Sequence, residues 1–220
     1  CRRPDAADAL QELREQRAPI ELVACDCGDE AAIAQAADAI AARSDRVHTL
    51  INNAGRVGEA DDLDRLDPAG LLDCLRVNLC GPLLLTRALR PLLARGAGRV
   101  LLLTSRTAVL FEQAGHGAGG GYGYATSKAA LHRAIPQLAA DLAPDGITVI
   151  GCNPGFVATD MTAGSGPGRS KLSPEESAAA LLDGAAAVPP ERTGAFIDWR
   201  GCPSRWLAPP ESAADRQIAE

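Results

Sequence analysis

Short apolar runs alternate with longer stretches of helical period along this chain of 220 residues, and the links between them are short. Few folds accept that alternation. The strand-like runs are IELVACD (20–26), VHTLINNAG (47–55), GRVLLLTS (98–105), GITVIGCNPG (146–155) and GAFIDW (194–199). Two of them, 98–105 and 146–155, are nearly continuous in apolar residues, as expected of strands covered on both faces. Between them, residues 29–43 place Ile33, Ala36, Ala37 and Ile40 at helical spacing. Residues 68–94 form a leucine-rich helical stretch with a bend expected near Gly81-Pro82, and 124–143 form another helix. Ser173, Pro174 and Glu176 have the pattern of an N-cap, a first helical residue and a closed capping box. The pattern predicts one α/β domain over 1–220, a doubly wound parallel sheet with helices on both faces. Ligands of such sheets lie beyond the carboxyl ends of the strands. Asp26, Asn52 to Gly55, Ser105 and Asn153 to Gly155 all stand at those ends.

Composition removes several function classes. Aromatic residues are 3%, the net charge is −6 and the isoelectric point is near 5.1. Neither a base-stacking surface nor a basic footprint is present, which argues against nucleic acid and against a polybasic membrane patch. The seven cysteines contain no CxxC pair, and His48, His116 and His132 do not fall at zinc-ligand spacing, so no metal site is expected. The cysteines read as reduced, mostly buried thiols of a cytoplasmic protein. No uninterrupted apolar run approaches the roughly 18 residues of a membrane span.

The chemistry concentrates in GYGYATSKAA (121–130). Nearly every cation in the chain is arginine, yet Lys128 stands four residues after Tyr124, on the same face of the predicted helix. A phenol has a reference pKa of about 10 and is a poor acid or base at neutral pH. An ammonium ~4 Å away would stabilise the phenolate by about 4 kcal/mol at intermediate dielectric. The expectation is a lowered phenol pKa and a tyrosine able to exchange a proton. Lysine suits the task because it is a compact charge that can also bind a sugar diol.

With INNAG (51–55), VNLCG (77–81), RVLLLTS (99–105), YATSKAAL (124–131) and CNPGFVATDM (152–161) in this order, the chain resembles the short-chain dehydrogenase/reductase family over essentially its whole length. The helix LSPEESAAALL and the closing GAFIDWRGCPSRW look most like the branch of C-factor-type signalling proteins and sniffer-type carbonyl reductases. The resemblance implies a Rossmann-like fold and four catalytic positions. Tyr124 would protonate a carbonyl oxygen. Lys128 would lower the tyrosine pKa and hold the nicotinamide ribose. Asn78 would hold a helix kink and a relay water, and Ser105 would hydrogen-bond the substrate oxygen. Ser105 lies farther before Tyr124 than the family usually allows. The difference reads as a Gly-rich insertion at 114–121, with Val109 near the place of a second family serine and Thr104 and Thr107 as alternative hydroxyls. On the cofactor side, Asn52, Ala54 and Gly55 would pass under the adenosine, Asp26 would touch the adenine, and Pro154, Gly155 and Thr159 would meet the nicotinamide.

The family's first strand and its Gly-rich turn, about 30 residues, are expected before Cys1. Without them, poor folding and weak cofactor binding are expected. Arg2 and Arg3 follow the place of the second strand, where an arginine suits the 2′-phosphate of NADP and an acid suits NAD; NADP is the expected cofactor and NAD the alternative. Residues 160–172 would form a lid, and the 68–94 helices would either support a homodimer or homotetramer or pack within the domain's own core. The implied function is hydride transfer between NADP and a small carbonyl or alcohol. The alternative is a dinucleotide-binding signalling protein of the C-factor type without redox turnover.

Overall fold

The computed structural model describes residues 1–16, 20–58, 63–108, 121–163 and 170–203. Four parallel strands, β1 (Thr49–Asn52), β2 (Arg99–Leu103), β3 (Thr148–Cys152) and β4 (Ala195–Ile197), lie side by side in chain order. Their register aligns Ile51 with Leu101, Leu101 with Ile150, and Ile150 with Ala195. The helices are α1 (Asp8–Gln16), α2 (Glu30–Ala41), α3 (Pro68–Leu75), α4 (Gly81–Arg95), α5 (Gly121–Leu142) and α6 (Pro174–Ala187).

Side chains alternate across each strand, so one sheet builds two cores. Val100, Leu102 and Val149 face α2, α4 and α5, meeting Ala37, Leu89, Leu93, Leu131 and Ile135. Leu101, Leu103, Ile150 and Cys152 face the other way, against Leu181 and Ala185 of α6. Helices therefore cover both faces, as the alternation predicts. Ser173 caps α6: its hydroxyl accepts from Glu176 N–H at 3.1 Å and the Glu176 carboxylate accepts from Ser173 N–H at 2.9 Å.

Three expectations fail. Residues 20–26 do not form a strand. Cys25 N–H donates to Cys1 C=O and the Cys1 ammonium donates to Val23 C=O, two bonds where a ladder needs a continuous row. Among the described residues β1 pairs with β2 alone, and its Ile51 is 47% exposed. The thiols are reduced, but only Cys74 and Cys152 are buried; Cys25 and Cys27 are half-buried, and Cys1, Cys80 and Cys202 are exposed. Finally, Pro68–Arg95 forms one helical stretch long and apolar enough, by length and composition, to cross a membrane. The sequence reading missed it because charged residues interrupt the apolar run. Cys74, Asn78, Thr86, Leu89, Leu92 and Leu93 of this stretch are buried within the domain.

Candidate active site

α5 carries the central pair. Gly123 lets its first turn lie against α3, since a Cβ there would come within 3.3 Å of the Leu71 Cα and 3.1 Å of the Cys74 sulfur. One residue later Tyr124 enters the carboxyl side of the sheet, and Lys128 follows one turn on, 4% exposed. The Lys128 Nζ sits 5.7 Å from the Tyr124 ring centroid and donates to the Leu103 carbonyl at the end of β2, at 2.6 Å. Burial pulls the Lys128 pKa down to about 8.

Burial also raises the Tyr124 pKa above its ordinary value, and a hydrogen bond with Ser105 opposes that rise. The expected lowering by Lys128 is therefore not what the fold produces. A buried phenolate loses hydration, and the ammonium meant to stabilise it is itself desolvated and held by a backbone carbonyl. At neutral pH the pair is a protonated phenol beside a lysine that is still largely charged.

Ser105 reaches Tyr124 despite its distance in sequence. Its oxygen accepts from the Thr107 hydroxyl at 3.0 Å and from the Thr107 N–H at 3.3 Å. Two filled acceptor positions leave the Ser105 hydrogen to point outward as a donor. Thr107 thus serves Ser105, whereas Thr104 is 2% exposed and spends its hydroxyl on the Cys152 carbonyl. Val109, His116 and the Gly-rich stretch up to residue 120 lie outside the described residues.

Asn78 occupies the kink. Residues Arg76–Cys80 form a π-helical turn between α3 and α4. The widened turn projects the fully buried Asn78 amide at the backbone of Arg56, accepting from its N–H at 2.7 Å and donating to its C=O at 2.8 Å. The same amide donates to Ser127 Oγ at 2.9 Å, and Ser127 donates to the Tyr124 carbonyl at 2.8 Å. Ser127 was missed by the sequence reading, although it stands inside YATSKAAL. Its signal was helical spacing: it lies on the buried side of α5, next to Lys128.

The cofactor-side residues line the carboxyl edge. Asn52 is buried and donates to Thr86 Oγ at 3.4 Å, while Asn53, Ala54 and Gly55 leave their backbone exposed beyond β1. A small cleft of about 40 Å³ opens there, lined by Cys27, Ile51, Asn52, Asn53, Ala54, Pro82 and Leu85. Asp26 is exposed beside it and accepts from Gly28 N–H at 2.8 Å. Arg2 and Arg3 are exposed near the crossing of residues 1 and 25. After β3, Gly155 adopts φ +77°, and a Cβ there would lie 2.9 Å from both Leu172 and Trp199. Pro154 is held through its carbonyl by Ser177, and Thr159 caps the turn Asp160–Thr162. Of the expected lid, 164–169 lie outside the described residues. Its two ends are joined: Ala158 N–H donates to Leu172 C=O and Leu172 N–H to Phe156 C=O, both at 2.9 Å.

The chain matches the family model described as short chain dehydrogenase over residues 2–170. It is 37% identical to the C-signal of Myxococcus xanthus over 161 residues, 73% of this chain and 93% of that protein. It is 36% identical to a 1-hydroxy-2-glutathionyl-2-methyl-3-butene dehydrogenase of Rhodococcus sp. strain AD45, over 64% of this chain and 63% of that protein. Among solved structures, an NADPH-bound carbonyl reductase from chicken fatty liver superposes with a TM-score of 0.85 at 26% identity, covering 94% of this chain and 86% of that one.

Proposed function

The chain belongs to the short-chain dehydrogenase family, an oxidoreductase family acting on alcohols and carbonyls with NAD(P), and from that premise we propose that it is an NADP-dependent reductase of a small carbonyl compound with Tyr124 as its acid. The observation that carries this reading is the convergence of Ser105, Tyr124 and Lys128 beyond the end of β2. The residues present fit a dinucleotide. The exposed Asn53–Gly55 backbone and the cleft beside it offer a bed for an adenosine, and Lys128 keeps donors beyond the one given to Leu103 for a ribose diol.

Bound nicotinamide supplies the hydride. Ser105, filled as an acceptor by Thr107, donates to the substrate oxygen and orients it. Tyr124 is protonated at neutral pH and passes its proton to that oxygen. The Lys128 ammonium then stabilises the phenolate left behind. Asn78 and Ser127 hold the first turn of α5 in register with the Arg56 backbone. Support for NADP over NAD comes from Arg2 and Arg3 and from the likeness to the NADPH-bound reductase. The same reading takes the protein as a cytoplasmic homodimer or homotetramer. The likeness to C-signal keeps a signalling role in view, but a protein that only binds a dinucleotide has no use for a half-buried phenol beside a buried ammonium.

The test is NADPH consumption against a panel of carbonyl compounds. Tyr124→Phe should lower turnover by roughly 10²- to 10⁴-fold and leave NADPH affinity nearly intact. Unchanged turnover removes Tyr124 from the role. Alanine at Arg2 and Arg3 should weaken NADPH more than NADH, and equal losses would end the argument for NADP.

A further inference from the structure

Lys171 is the second of the chain's two lysines, and the mechanism above leaves it unused. It stands half-buried just before α6. Its Nζ donates to the Thr162 carbonyl at 2.6 Å and lies 5.4 Å from the centroid of the Phe156 ring. Both contacts suit a cation. The carbonyl ends a tight turn, where a lysine satisfies an acceptor that the turn leaves open. The ring presents its electron-rich face.

The two contacts grip opposite ends of one loop. Phe156 opens it, directly after Gly155, and the turn Asp160–Thr162 closes it. Inside the loop, the Thr162 hydroxyl donates to the Val157 carbonyl at 2.6 Å and accepts from the Thr159 N–H at 3.1 Å. Next to Lys171, Leu172 donates to the Phe156 carbonyl and accepts from the Ala158 N–H. The loop also reaches across the carboxyl edge of the sheet: the Met161 methyl would lie 3.8 Å from a Cβ on Gly55, beyond the end of β1. The loop that carries Thr159 is thus set against Gly55, and Lys171 is its fastening.

We propose that Lys171 is a positioning residue that holds the loop 156–162 in the shape that receives the nicotinamide half of the cofactor. Lys171 does not itself touch the cofactor. It removes beforehand the cost of ordering the loop on binding. Arginine can make both contacts, because its guanidinium donates to carbonyls and stacks on aromatic rings. Methionine keeps much of the stem and loses the charge and the donors. The inference rests on the cofactor reading of Thr159 and Gly55.

The test compares Lys171→Met with Lys171→Arg. Binding of NADPH and of adenosine 2′,5′-bisphosphate, which carries only the adenosine half, is titrated by calorimetry. Exchange of the Ala158 and Leu172 amides is followed by NMR. Lys171→Met should weaken NADPH roughly threefold to tenfold and leave the bisphosphate within about twofold, because a loosened loop must be ordered on binding. It should also speed exchange of both amides, and Lys171→Arg should restore NADPH affinity and slow exchange. If methionine prevents folding, Lys171→Leu carries the same comparison. A folded variant without the ammonium that keeps wild-type NADPH affinity or wild-type exchange overturns the proposal. So does equal weakening of both ligands, which marks damage to the whole fold, or a folded arginine variant that fails to restore NADPH affinity. If the wild-type protein binds neither ligand, the functional reading falls, and the exchange comparison still decides whether Lys171 holds the loop.

Discussion

Lys128 shows how one residue can serve the chemistry and burden the fold. Burial lowers its pKa from 10.5 to about 8, a penalty of about 3 kcal/mol on the charged form. The native pKa lies below the unfolded one, so the penalty is complete below about pH 8. Between about 8 and 10.5 the unfolded chain binds more protons than the native one, and stability from this group rises with pH. Lys128→Met should therefore raise stability at pH 7 by about 1–2 kcal/mol, after allowing about 1 for the lost bond to Leu103. It should also flatten the rise above pH 8 and abolish turnover. Urea denaturation at pH 7 and pH 10 checks this, and a variant less stable than wild type at pH 7 would contradict it. The pairing of Tyr124 with Lys128 was legible from their spacing, and Ser105 from its place at a strand end. The direction of the phenol shift was not, because it depends on how much water the folded protein removes from the ring. Thr107 could be listed only as a spare hydroxyl, since its bonds to Ser105 exist only once the turn closes.

At the level of elements, α6 illustrates what local sequence decides. Its capping box satisfies two end groups reciprocally, and its Ser177 holds the Pro154 carbonyl beside the nicotinamide-side loop. Ser173→Ala should lower the free energy of unfolding by about 1 kcal/mol, read as a reduced urea midpoint at unchanged slope. An unmoved midpoint would mean that the box is not holding the helix end. This motif was written plainly in SPEE, as were the continuous apolar strands β2 and β3. The irregularity expected near Gly81-Pro82 is a π turn at Arg76–Cys80, just before it. Its cause is tertiary: the turn widens where Asn78 meets the Arg56 backbone, a partner 22 residues away. Residues 20–26 have strand composition and no strand, because pairing needs a neighbour as well as a propensity.

Across the whole molecule, the two cores on opposite faces of one sheet sort the seven thiols. Cys74 and Cys152 are buried, and burial pushes the Cys152 pKa up to about 12. Cys27, half-buried beside Cys25, is pushed to about 11. Alkylation of the native protein at neutral pH should modify Cys80 and Cys202 readily, Cys27 slowly, and Cys74 and Cys152 only after unfolding. Peptide mass spectrometry reads the order, and rapid native labelling of Cys152 would show that the α6 face is not closed. The alternation of apolar runs with helical period was enough to determine a parallel sheet covered on both sides, and with it the edge where the site lies, because both periods are set by backbone geometry that every residue shares. The tertiary structure alone decided the protonation of Tyr124 and Lys128 and the service of Thr107 and Ser127. Those depend on hydration lost and on partners met across long stretches of chain, which no local pattern encodes.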